Sequence, residues 1–110
     1  MKTLYLLRHA KSSWGNRELK DQHRPLNRRG LSDIPKMAAR LREKSRVQAI
    51  ISSTAVRACS TAKLMAEGIG FPAESVYLKS EMYLSGPPKL LEIVRHLDDT
   101  LREVMLVCHN

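Results

Sequence analysis

The sequence predicts an α/β fold built on a mainly parallel sheet. Short apolar runs alternate with longer stretches of helical period, in the order strand, helix, strand, helix, strand, helix, strand. Three of the four runs also end in polar, chemistry-bearing residues. In a parallel sheet, the carboxyl ends of the strands are where ligands bind.

Each element has its own warrant. Thr3 to Leu7 is a strand that runs straight into Arg8 and His9. Residues 14–25 are polar and charged, and form a loop. Leu31, Ile34, Ala38 and Leu41 share one helical face. Asn27 can cap this helix. Ser32 is the alternative cap, because it would place Pro35 in the first turn, where proline is tolerated. Gln48 to Ser52 is the second strand. Ser53 or Thr54 caps a second helix, with Ala55, Ala58, Ala62, Met65 and Ile69 inward and Gly68 and Gly70 closing it. Val76-Tyr77-Leu78 is a short third strand. Ser85-Gly86-Pro87-Pro88 opens a third helix, with Leu90, Val94, Leu97 and Leu101 inward. Glu103 to Cys108 is the fourth strand.

The bulk numbers narrow the function. With 110 residues, 43% of them hydrophobic, the chain suits one globular domain, spanning 1–110. Its apolar runs are a handful of residues long, against the roughly 20 that a membrane span needs. No secretory signal is visible, and Cys59 and Cys108 lack metal-like spacing, so they read as reduced thiols of a cytoplasmic protein. The net charge of +8 suits either a nucleic-acid binder or a pocket for a small anion. Eight Lys or Arg between residues 24 and 46, against Asp33 and Glu43, are spaced so that they ring a helix rather than form one stripe. Aromatic residues are only 5% of the chain, which argues against single-stranded nucleic acid as a partner.

The polar strand ends are Arg8-His9, then Ser52-Ser53-Thr54 followed by Arg57, then His109-Asn110. Parallel strands bring them to one edge. Two histidines and two arginines with no acidic cluster do not make a Mg²⁺ or Ca²⁺ site, and two histidines alone make a poor zinc site. No metal or other cofactor is expected. A cationic pocket beside a helix N-terminus suits a phosphoryl group. A neutral imidazole can attack phosphorus and form a phosphohistidine that water then hydrolyses. A metal-free phosphatase is therefore one reading, and a basic binding module with a vestigial site is another.

Leu6-Leu7-Arg8-His9-Ala10-Lys11-Ser12-Ser13-Trp14 resembles the signature of the histidine phosphatase superfamily, and within it the short SixA-type phosphohistidine phosphatases. The resemblance continues through Arg24-Pro25-Leu26-Asn27-Arg28-Arg29-Gly30, Ser52-Ser53 with Arg57, Thr61 and Ala62, and Val107-Cys108-His109-Asn110. It implies a phosphoglycerate mutase-like fold, a three-layer αβα sandwich with strand order 3-2-4-1. It implies that His9 is the nucleophile and that Arg8, Arg57 and His109 clamp the phosphoryl oxygens. Glu81 stands where the family has its general acid, and equally where a surface carboxylate would stand. Lys11, Ser12 and Arg24 are candidate substrate contacts, or solvated loop residues. The implied substrate is a phosphorylated protein histidine, such as a phosphorelay domain, or else a small phosphoester handled by a phosphatase or mutase of the same fold.

Two departures stand out. Ser53-Thr54-Ala55-Val56-Arg57 lacks the proline that the family commonly carries two residues after the second serine. Similar proteins also continue past the second histidine with another helix and further strands, so the domain is expected to be incomplete at its C-terminus. The strand Thr3 to Leu7 would then be an exposed edge, and the chain poorly stable alone. His23 and His96 are given no role, Trp14 is expected to anchor the loop rather than to serve as a base-stacking platform, and Tyr83 to pack below the pocket.

Overall fold

The computed structural model describes residues 2–83 and 85–109. Four strands form one sheet: β1 (Thr3–Arg8), β2 (Ala49–Ser52), β3 (Tyr77–Leu78) and β4 (Glu103–Cys108), in the order β1-β4-β2-β3. All pairings are parallel, with Arg8 opposite Cys108 and Ser52 opposite Val107. The expected order and direction are both found, and three strands end on one side of the sheet.

Helices α1 (Arg28–Lys44) and α2 (Val56–Ile69) cover one face, and α3 (Pro87–Arg95) the other. β4 explains the layering. Met105 and Val107 pack with Ile34, Ala38, Ala62 and Met65 of α1 and α2. Val104, Leu106 and Cys108 pack with Ile93 of α3. A central strand buried on both faces has no polar face to show, hence its unbroken apolar run. β1 is an edge strand, with Leu6 63% exposed on the α3 side. Both cysteines are free. Among the described residues, no helix is long and apolar enough to cross a membrane.

Several boundaries differ from the expectation. Asn27, not Ser32, caps α1: its side chain accepts from Gly30 N at 2.8 Å. Pro35 therefore lies inside the helix rather than in its first turn. The inward column becomes Gly30, Ile34, Ala38 and half-buried Leu41, while Leu31 is exposed. α2 has no side-chain cap; instead Ser53 Oγ accepts from Ala55 N at 3.3 Å in the loop before it. Gly70, at φ 81°, ends α2 in the left-handed conformation that glycine adopts without strain. Gly68 is inside α2, facing Ala38, where a side chain would collide with the Ala38 methyl. α3 stops at Arg95, yet Leu97 and Leu101 still pack on the α3-side core from the following loop.

Two loops lock the site side of the sheet. Ser13 N donates to Pro25 O and Asn27 N to Lys11 O, both at 2.8 Å. Gly30 sits against the Lys11 main chain with no room for a Cβ. The start of α1 is thus pinned to the segment that follows His9.

Candidate active site

His9 leaves β1 as its main-chain N–H donates to Cys108 O at 3.1 Å. The next amide, Ala10 N, donates to Thr61 Oγ1 of α2 at 3.0 Å. The ring is oriented by its own neighbourhood. His9 Nδ1 lies 2.8 Å from the Ala10 carbonyl oxygen. A carbonyl accepts only, so Nδ1 carries the proton and Nε2 holds a lone pair. That lone pair faces Arg57, whose Nε–H approaches Nε2 at 3.4 Å. Partial burial of the ring keeps the His9 pKa below the ordinary imidazole value; Arg57, Arg8 and Arg24 push it the same way, against the Ala10 bond. At neutral pH the ring is neutral.

Arg57 is the hub. It lies in the first turn of α2 and is 3% exposed. Besides His9, it donates through NH2 to His109 Nδ1 at 3.4 Å, to Asp21 Oδ2 at 2.9 Å, and through NH1 to Asp21 O at 2.6 Å. His109 follows β4 directly. With Nδ1 accepting from Arg57, Nε2 is the nitrogen left to donate to Ser53 Oγ, at 2.8 Å. Burial, then Arg57 and His9, lower the His109 pKa to about 4, so this ring is neutral too. The His9 and His109 ring centroids are 5.3 Å apart.

Asp21 was not foreseen. It opens a 3-10 turn (Asp21–His23) in the loop after β1 and reaches across the site. Its carboxylate accepts from Tyr83 Oη at 2.6 Å, Arg57 at 2.9 Å and Arg24 Nε at 3.1 Å. Tyr83 first, then Arg57 and Arg24, hold the carboxyl well below the usual carboxylate range. The pocket is therefore not all-cationic. Arg8, Arg24 and Arg57 still outweigh Asp21, so the site stays net cationic, as a phosphoryl group requires. Tyr83 does more than pack: its hydroxyl holds Asp21, and its ring meets His109 edge-on at 5.6 Å. The one sequence hint of Asp21 was its place three residues before Arg24.

Arg24 is buried, and donates to Ser12 Oγ at 2.8 Å and Ser13 O at 3.2 Å. Arg8, His9, Lys11 and Ser12 line one groove of about 360 Å³, together with Trp14 and Asn27. Trp14 does not anchor the loop in the core; it is 73% exposed. Glu81 is not brought to this cluster. Its carboxylate lies 3.4 Å from Lys89 Nζ and lines a separate groove with Lys79, Glu92 and His96. Among the described residues, no three His, Cys, Asp or Glu side chains group as metal ligands.

The parallel strand ends thus bring two histidines around a buried arginine, with Asp21 and Tyr83 closing the ring. The model of the histidine phosphatase superfamily (branch 1) matches residues 4–83, and the chain belongs to that family. An uncharacterized chloroplastic protein of Arabidopsis thaliana is 40% identical over 82 residues, which are 73% of this chain and 38% of that one. The chain thus spans well under half the length of that relative. The structure resembles that of the provisionally assigned phosphohistidine phosphatase SixA of Agrobacterium tumefaciens, with a TM-score of 0.89 and 29% identity over 100% of this chain and 71% of that one. The corresponding protein of Nakamurella multipartitia gives a TM-score of 0.78 and 26% identity, covering 98% of this chain and 59% of that one.

Proposed function

We propose that the chain is a phosphatase that works through a phosphohistidine at His9, and that its substrate is a phosphorylated histidine of another protein. One observation carries this reading. The Ala10 carbonyl accepts from Nδ1–H, so a neutral His9 presents its Nε2 lone pair beside Arg57 in a net cationic site.

In the first step Nε2 attacks phosphorus, and the bond from phosphorus to the substrate's imidazole nitrogen breaks. The departing ring, protonated on its other nitrogen, keeps the electron pair and leaves neutral. His9 becomes a phosphorylated imidazolium, its Nδ1–H still on the Ala10 carbonyl. In the second step water attacks phosphorus, the electron pair returns to Nε2, and dihydrogen phosphate departs. Arg57 and Arg8 hold the phosphoryl oxygens, His109 positions Arg57 through its Nδ1, Arg24 and Ser12 steady the loop beneath, and the arginines supply the charge neutralisation that phosphoryl transfer needs.

The leaving group decides between substrates. An alkoxide needs a proton as it departs. Asp21 is held ionised, His109 is neutral and Glu81 is paired with Lys89, so none of them is a ready acid. A protonated imidazole needs none. Only residues 79–86 separate β3 from α3, so no long insertion roofs the pocket at this point. The test is a comparison of kcat/KM for a phosphohistidine-bearing protein and for glycerol phosphate. The reading expects the former to be at least about a hundredfold higher; a preference for glycerol phosphate would overturn it.

A further inference from the structure

Trp14 is the chain's single tryptophan and has no part in the chemistry above. It is nevertheless held in place. The Arg24 guanidinium carbon lies 3.5 Å from its ring centroid, within cation–π range. Arg24 is itself well tied down: it is buried and bonded to Asp21, Ser12 and Ser13. The indole therefore rests on a fixed cation while 73% of the residue stays exposed. It also lines the same groove as His9. A large aromatic that is seated on Arg24, uncovered and beside the nucleophile is placed to take a planar partner.

We propose that Trp14 is a specificity-determining residue, a stacking platform that favours phosphoryl donors whose leaving group is a planar aromatic ring. This rests on the reading of the site as one that transfers phosphoryl groups from imidazole, and it supplies the selection for a ring that the clamp cannot make. Arg57 and Arg8 are placed to recognise phosphoryl oxygens, and these are the same in every substrate. Arg24 serves both halves, since it joins the Asp21 network to the Trp14 ring.

The test measures binding as well as turnover, so that the two ideas can fail separately. Phenyl phosphate and methyl phosphate are titrated by calorimetry into the wild type, Trp14→Ala and Trp14→Phe, with inorganic phosphate as the measure of the clamp. Trp14 fluorescence is followed in the wild type. An aromatic pair is worth about three- to tenfold in affinity. Phenyl phosphate should bind the wild type tighter than methyl phosphate by about that factor and quench the fluorescence. The preference should fall below twofold in Trp14→Ala and largely persist in Trp14→Phe. A preference untouched by Trp14→Ala overturns the proposal, as does phenyl phosphate binding without quenching. Loss of inorganic phosphate binding in both variants also overturns it, by making Trp14 a prop for Arg24. A wild type that shows the ring preference yet leaves phosphohistidine intact would sink the phosphatase reading and leave this one standing. A wild type that binds no phosphate compound at millimolar concentration would sink both.

Discussion

Asp21→Asn separates the two things that the Asp21 carboxylate does. It offsets part of the positive charge of the clamp, and it ties Arg57, Arg24 and Tyr83 together. The asparagine keeps the shape and one acceptor oxygen but loses the charge. A phosphate held by Arg57 would lie about 5 Å from the Asp21 carboxylate, given the 2.9 Å contact between them. At an effective dielectric of about 20, two unit charges at that distance repel by about 3 kcal/mol, and the half-exposure of Asp21 and the salt screening cut this to about 1–2 kcal/mol. Inorganic phosphate should then bind roughly tenfold tighter. Stability should move the other way. Arg57 is buried but Asp21 is 42% exposed, so the loss is nearer about 1 kcal/mol than the figure for a fully buried pair. That corresponds to a drop of roughly 4–8 °C in Tm. Calorimetric titration and a thermal melt at matched ionic strength read both. Weaker phosphate binding together with the lower Tm would refute the reasoning, because ordering of Arg57 would then outweigh the charge that Asp21 cancels.

Other outcomes follow from the same geometry. Folding holds His109 near a pKa of about 4, against about 6.5 unfolded, so the unfolded chain binds the extra proton between those values. The stability this contributes is whole above about pH 6.5 and is lost as pH falls toward 4. His109→Gln should flatten that slope in acid-titrated urea melts. The acid limb of kcat/KM should likewise lie below the ordinary imidazole pKa, because His9 is shifted down. Glu81→Gln should change turnover of both phosphohistidine and glycerol phosphate less than about twofold, since its carboxylate is engaged with Lys89; a large loss on glycerol phosphate would make Glu81 the acid. Gly30→Ala should lower Tm by roughly 5–10 °C and weaken phosphate binding, because its Cβ meets the Lys11 main chain. Gly68→Ala, which meets only the Ala38 methyl, should lower Tm and leave phosphate affinity alone.

What the sequence made legible follows from how local each signal is. β4 announced itself because both its faces are covered, and strand ends at Arg8, Ser52 and Cys108 were enough to bring His9, Arg57 and His109 together. The α1 cap was ambiguous because Pro35 seemed to demand a later start, yet Asn27 wins through its bond to Gly30 N. The end of α3 was invisible in the apolar period, since Leu97 and Leu101 face the same core after the helix has stopped. Asp21 and Tyr83 were illegible for a different reason. They act through each other across 62 residues, and no local pattern encodes a loop carboxylate folding back onto a buried arginine. Glu81 shows the converse: a plausible position in the chain, but a side chain turned to Lys89.

The central claim is that phosphorus bonds to His9. Phosphoenzyme trapping tests it most directly. The protein is mixed with a radiolabelled phosphohistidine donor, quenched in alkali within milliseconds, and its peptides are mapped beside those of His9→Ala. The account predicts an alkali-stable, acid-labile label on the peptide carrying His9, absent from the variant. Turnover that proceeds with no label on His9, or with the label on His109, would contradict it.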